Sequence, residues 1–151
     1  ESEIFDRLIL PRARKNPDFV LIAAPLPSPA EDPNKLISTL AHELLHAQYF
    51  LNPRFRETCD AFWNSDVSAE DRQAIREALS ERDYDPSNEE LMKNEFQAYV
   101  LMPGADSKAL ARWAPKYGNA LTTRLRAAGC APLNVNADGS STESNTATGN
   151  H

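Results

Sequence analysis

Between Pro33 and the Asn52-Pro53 pair runs PNKLISTLAHELLHAQYFL, a stretch with no glycine and no internal proline. Proline suits the first turn of a helix but cannot continue one, so these residues mark a start and a stop. Asp32 is placed to cap the start. Leu36, Ile37, Leu40, Leu44, Ala47 and Leu51 recur at helical spacing and define one apolar face. A helix over about 33–51 is the strongest constraint on the fold, because the rest of the chain must pack against it. The apolar face is expected to meet the core. The opposite face carries Lys35, Ser38, Thr39, His42, His46 and Tyr49 and is expected to open on a cleft.

The flanking segments are mostly helical in pattern. Residues 2–10 read as a helix, 11–17 as a proline-bounded basic connector, and Phe19 to Ala23 as the one strand candidate. Residues 25–33 hold four prolines and form a loop. Phe55, Cys59, Phe62 and Trp63 mark a second helix. Ser68 with Asp71 caps a third, which runs through Ile75 and Leu79. Ser87 followed by Glu90 has the form of a capping box for a fourth. That helix spans about 88–102, carries Leu91, Phe96, Val100 and Leu101, and ends before Pro103-Gly104. Weaker helices surround Leu110–Trp113 and Leu121–Leu125, the last closed by Gly129. Residues 134–151 have almost no apolar content and cannot offset the entropy of ordering, so a disordered tail is expected after a domain of 1–133. The fold class this implies is α+β: a small, mostly helical domain with a short N-terminal sheet.

The 151 residues carry a formal net charge of −6, and the lysines and arginines are scattered without a basic stripe, which argues against a nucleic-acid partner. No apolar run reaches the length of a membrane span. Cys59 and Cys130 are the two cysteines. They form one disulfide or stay as two thiols, and they are too few for a cysteine-based zinc site. A cytoplasmic and a periplasmic or secreted location both remain open, as does the oligomeric state. The chain begins at Glu1 rather than Met, so it is expected to be a trimmed product.

The chemistry is concentrated in HELLH. His42 and His46 lie one helical turn apart, where both imidazoles can reach one ion. Glu43 is rotated from His42 by about 100°, beside the metal position rather than on it. A carboxylate there can take a proton from water and return it to a leaving amine. Catalytic zinc commonly takes three protein ligands. The one other histidine is His151, in the expected tail, so the third ligand must be a carboxylate or lie outside this sequence. Glu95 is the best candidate, because it sits in the mostly apolar segment KNEFQAYVLM, where an unpaired carboxylate is expensive. Ala98 and Tyr99 share its face, and a small Ala98 lets the two helices approach. Asp60 is the runner-up.

HELLH followed by a distant Glu in Asn94-Glu95-Phe96-Gln97-Ala98-Tyr99 resembles the gluzincin branch of the zincin metallopeptidases, over roughly residues 34–103. The small size is similar to the minigluzincins. The resemblance implies a zincin-like domain, Zn²⁺ as cofactor, His42, His46 and Glu95 as ligands and Glu43 as general base. Thermolysin-like members carry an Asp four residues after the ligand Glu, buttressing a histidine. Tyr99 stands there in this sequence, and it is the candidate for that hydrogen bond to His42. The implied activity is hydrolysis of a peptide or protein substrate, which would lie extended along an edge strand, for which Phe19 to Ala23 is the candidate. Tyr99, Tyr49 and Tyr117 are candidate oxyanion donors. The alternative is a non-catalytic zinc-binding helical domain that mediates protein interaction, and a third possibility is a metal-free helical interaction domain.

Overall fold

A computed structural model of the chain describes residues 11, 15, 19–22, 33–102 and 108–133. Its order is α1 (Pro33–Leu51), α2 (Pro53–Ser65), α3 (Ala69–Ser80), α4 (Glu89–Leu101), the short α5 (Lys108–Ala111), a π-helical turn (Ala114–Gly118) and α6 (Asn119–Ala127). The expected helix at 2–10, the Asp32 cap, Pro103-Gly104 and the expected tail at 134–151 with His151 lie outside the described residues.

The expected short sheet is not formed. Phe19 to Ile22 adopt no regular structure, and no strand occurs among the described residues. The physical reason is the lack of a partner. A strand is stable only in a ladder, and the other described apolar segments lie in helices or, at 130–133, against the Gln48 side chain. The regular secondary structure of the described residues is therefore all helical.

Caps set the helix boundaries. Asn52 ends α1 and caps α2, its side chain accepting from the Phe55 N–H at 3.1 Å. Ser68 accepts from the Asp71 N–H at 3.1 Å and opens α3, as expected. The cap of α4 is Asn88, which accepts from the Leu91 N–H, and not Ser87. Ser87 is instead engaged by Asp85, to which both its hydroxyl and its N–H donate.

α4 lies at the centre of the molecule and touches α1, α2, α3, α5, α6 and the π turn. Met92, Phe96, Ala98 and Val100 are buried, and so are Asn94, Glu95 and Gln97. From Asn94 to Val100 the helix is buried all round, so any polar atom left without a partner there is costly. Phe55, Cys59, Phe62 and Trp63 from α2, Ile75 and Leu79 from α3, and Leu121 and Leu125 from α6 complete the core around it. The π turn crosses the end of α4 at Gly118, where a Cβ would stand 2.6 Å from the Val100 carbonyl oxygen.

The face of α1 that meets this core differs from the one periodicity picks out. Ala41, Leu45, Ala47 and Tyr49 are buried, Leu36, Ile37, Leu40 and Leu44 are half-buried, and Leu51 is exposed. The histidine side of α1 therefore turns towards α4 rather than away from it. Tyr49 explains part of the difference. Its ring is fully buried because its hydroxyl donates to Asp60 Oδ1 at 2.7 Å, so its polar tip is no obstacle to burial.

Candidate metal centre

The packing of α1 on α4 sets three ligand-type side chains against one another. His42 and His46 come from successive turns of α1, with ring centroids 4.7 Å apart and planes at 84°. Glu95 comes from α4. His42 Nε2 is 3.9 Å from Glu95 Oε2, and His46 Nε2 is 3.7 Å from Glu95 Oε1. One donor atom from each of the three residues falls within a 4.8 Å span. Two ligands on a tetrahedral zinc are about 3.3–3.5 Å apart. The three groups are therefore within small side-chain adjustments of a common ion. They are the one such His/Cys/Asp/Glu group among the described residues.

The electrostatics of the three residues leave a place for a cation. Burial holds the His42 imidazole down to about 4, with His46 and Arg82 acting in the same direction and a backbone hydrogen bond to Met102 opposing them. His42 is thus neutral near pH 7 and keeps a lone pair. Burial pushes the Glu95 carboxyl above the usual carboxylate range, and the charge of nearby Glu43 adds to this. His46, a hydrogen bond from Tyr84 and Arg82 oppose it. Glu95 Oε2 is buried and has no hydrogen-bond partner. An orphaned carboxylate oxygen facing a neutral imidazole is costly by itself, and a divalent ion bound there would satisfy it. Two imidazoles and one carboxylate form a donor set suited to zinc with one coordination position left open.

Two residues that the sequence did not single out stand beside the three candidate ligands. His46 Nδ1 lies 3.0 Å from Asn94 Oδ1, and Gln97 Nε2 donates to the same oxygen at 3.3 Å. An acceptor at Nδ1 places the ring proton there and leaves Nε2 with its lone pair towards Glu95. The sequence signal was faint: two amides, Asn94 and Gln97, in a helix otherwise rich in apolar residues. The second is Tyr84, from the turn before α4, whose phenol is held above its usual range by burial and by the nearby Glu95 and Tyr99. Helical periodicity says nothing about a residue in a turn.

The remaining candidates separate clearly. Glu43 is half-buried on α1, near enough for its charge to act on Glu95. Tyr99 sets its ring 4.6 Å from the His42 ring at 58°. The His42 ring instead donates to the backbone carbonyl of Met102, one turn after Ala98. Asp60 is engaged with Tyr49 and faces Lys93 at 3.9 Å, away from the three ligands. Tyr117 gives its hydroxyl to Asp71. Cys59 and Cys130 are both free and buried.

No protein-family model, curated protein or solved structure matches the chain.

Proposed function

We propose that this chain is a zinc metallopeptidase of the gluzincin type, with His42, His46 and Glu95 as zinc ligands and Glu43 as general base. The observation that carries the reading is the convergence of Glu95, from a separate helix, on the two histidines of HELLH. A ligand set assembled from two helices is a property of the fold, which a chance HExxH does not predict.

A bound zinc supplies Lewis acidity, acidifying water and polarising a scissile carbonyl. The protein's own groups do the rest. Asn94 keeps the His46 proton on Nδ1. Burial keeps His42 neutral. Glu43 takes a proton from the attacking water and delivers it to the departing nitrogen, as one carboxylate can do in both directions. Tyr99 shields the His42 ring from solvent on the α4 side. The substrate is a peptide or protein. No described helix is long and apolar enough to cross a membrane.

The second reading is a structural zinc site that joins α1 to α4 and supports a protein interaction. The low exposure of the ligand side chains favours it: 13% for His42, 14% for His46 and 8% for Glu95. Glu43 separates the two readings, since a structural site has no use for a base. Zinc stoichiometry of the purified chain, measured with His42→Ala alongside, tests the metal. Cleavage of a mixed peptide library by the zinc-loaded chain tests the activity. Zinc without cleavage supports the structural reading. A parent chain with no zinc affinity ends both.

A further inference from the structure

Packing alone does not explain Gln97. It lies in the second half of α4 with no exposed surface, and its Oε1 has no hydrogen-bond partner. A Met or Leu there would fill similar space without stranding a polar atom. The bond that the amide does make runs to Asn94, one turn earlier on the same face, where Nε2 donates to Asn94 Oδ1 at 3.3 Å. The same Oδ1 stands 3.0 Å from His46 Nδ1. Gln97 and His46 therefore meet at one oxygen. The far side of the His46 ring, Nε2, faces Glu95 Oε1 at 3.7 Å.

The direction of these bonds matters because a primary amide can turn over. With Oδ1 towards His46, the ring proton sits on Nδ1 and Nε2 keeps its lone pair. With the Asn94 NH₂ there instead, Nδ1 becomes the acceptor and the proton moves to Nε2, where it faces Glu95 and blocks a metal. Asn94 alone can do either. Gln97 breaks the tie. To accept from a reversed Asn94, it would turn over as well and strand a buried NH₂ with both its protons. Stranded N–H groups are rarer in proteins than stranded carbonyl oxygens. We propose that Gln97 is a positioning residue for the metal centre: its donation holds the Asn94 oxygen against His46 and so keeps His46 Nε2 free for an ion. The inference rests on the metal-centre reading above and does not require peptidase activity. A merely structural role, filling the core around α4, needs the volume of Gln97 and not its amide.

Gln97→Met separates the two roles, because it keeps the volume and removes the amide. Three quantities are measured: zinc affinity by chelator competition, the urea midpoint, and the position of the His46 ring proton in the metal-free chain at pH 8, by proton–nitrogen correlation spectroscopy. The parent is expected to carry that proton on Nδ1. In Gln97→Met part of it moves to Nε2, and zinc binding weakens about 3–10-fold as the binding-competent fraction falls. The urea midpoint stays at or above the parent's, since the variant strands no polar atom. A merely structural role gives the opposite pattern, a lower midpoint with parent affinity. Asn94→Asp offers His46 an oxygen in either orientation, so in that background Gln97→Met is expected to change zinc affinity by less than about twofold. If Gln97→Met does not fold, the measurements move to Gln97→Leu, and loss of the fold in both variants overturns the inference. So does a parent ring with its proton on Nε2, or parent affinity and parent tautomer in the folded variant, or an undiminished loss in the Asn94→Asp background. These results leave the metal centre standing. A parent chain that binds no zinc overturns the metal-centre reading, and the inference with it.

Discussion

His46 and Asn94 are joined across the α1–α4 interface, with Nδ1 of the histidine 3.0 Å from Oδ1 of the amide. This contact decides which ring nitrogen of His46 is available to a metal. It also ties the register of α4 to α1 at the position next to Glu95. Asn94→Leu removes the acceptor at similar size and frees the ring tautomer. Zinc affinity is expected to fall about 10–100-fold, measured by chelator competition. Asn94→Asp keeps an acceptor and is expected to hold affinity within a few-fold of the parent.

Asp71 gives a pH dependence unrelated to the metal. The Lys116 ammonium, then the Tyr117 hydroxyl and Trp113 Nε1, donate to its carboxylate and hold it well below its ordinary value of 3.8. Between those two values the unfolded chain binds more protons than the folded one. The stability contributed by Asp71 is therefore complete above about pH 4 and is lost as pH falls through the folded value. Asp71→Asn is expected to destabilise the chain by about 1–3 kcal/mol at pH 7, as for hydrogen bonds to a charged group. The gap to the parent should narrow below about pH 4. Urea denaturation of both chains at pH 7 and pH 3 measures it.

Gly118 marks the closest approach of the π turn to α4. A methyl group there would stand 2.6 Å from the Val100 carbonyl oxygen, and backbone cannot swing aside as a side chain can. Gly118→Ala is expected to lower stability by about 1–3 kcal/mol, read from the urea midpoint. Asn119→Ala, its exposed neighbour, is expected to stay within about 0.5 kcal/mol of the parent.

Much of this arrangement was legible in the residues, and the failures have physical causes. The helix at 33–51 announced itself because Pro33 and Asn52-Pro53 bracket a glycine-free run. The stop of α6 was equally plain. Gly129 sits at φ 70°, with Cys130 N–H bonding Leu125 C=O and Gly129 N–H bonding Arg126 C=O. The same motif ends α3, but there Asp83 holds the left-handed position, and an aspartate is a much weaker signal than a glycine. The turn that folds Tyr84 back onto the core was hidden for that reason. The buried face of α1 was misjudged because periodicity weighs side-chain type and not the partners available to polar tips. Tyr49 is buried through Asp60, while Phe50 and Leu51 remain exposed. The strand at 19–23 failed because pairing is a property of two segments, and no second one exists among the described residues. The convergence of His42, His46 and Glu95 was legible because sharing one ion would restrict residue type and spacing together. Asn94 was not, since its role depends on how two helices meet.

The peptidase reading turns on Glu43, half-buried on α1 beside the ligands and absent from the three-ligand group. Gln has nearly the same shape as Glu and keeps hydrogen-bonding capacity, but it cannot take up a proton from water. The most direct measurement is the peptide-cleavage rate of Glu43→Gln at confirmed one-to-one zinc occupancy, beside the parent at the same occupancy. The expected result is full zinc retention with a rate at least about 10²-fold lower, the usual minimum contribution of a general base. Cleavage at the parent rate by the zinc-loaded Glu43→Gln chain would contradict the proposed mechanism even with the metal centre intact.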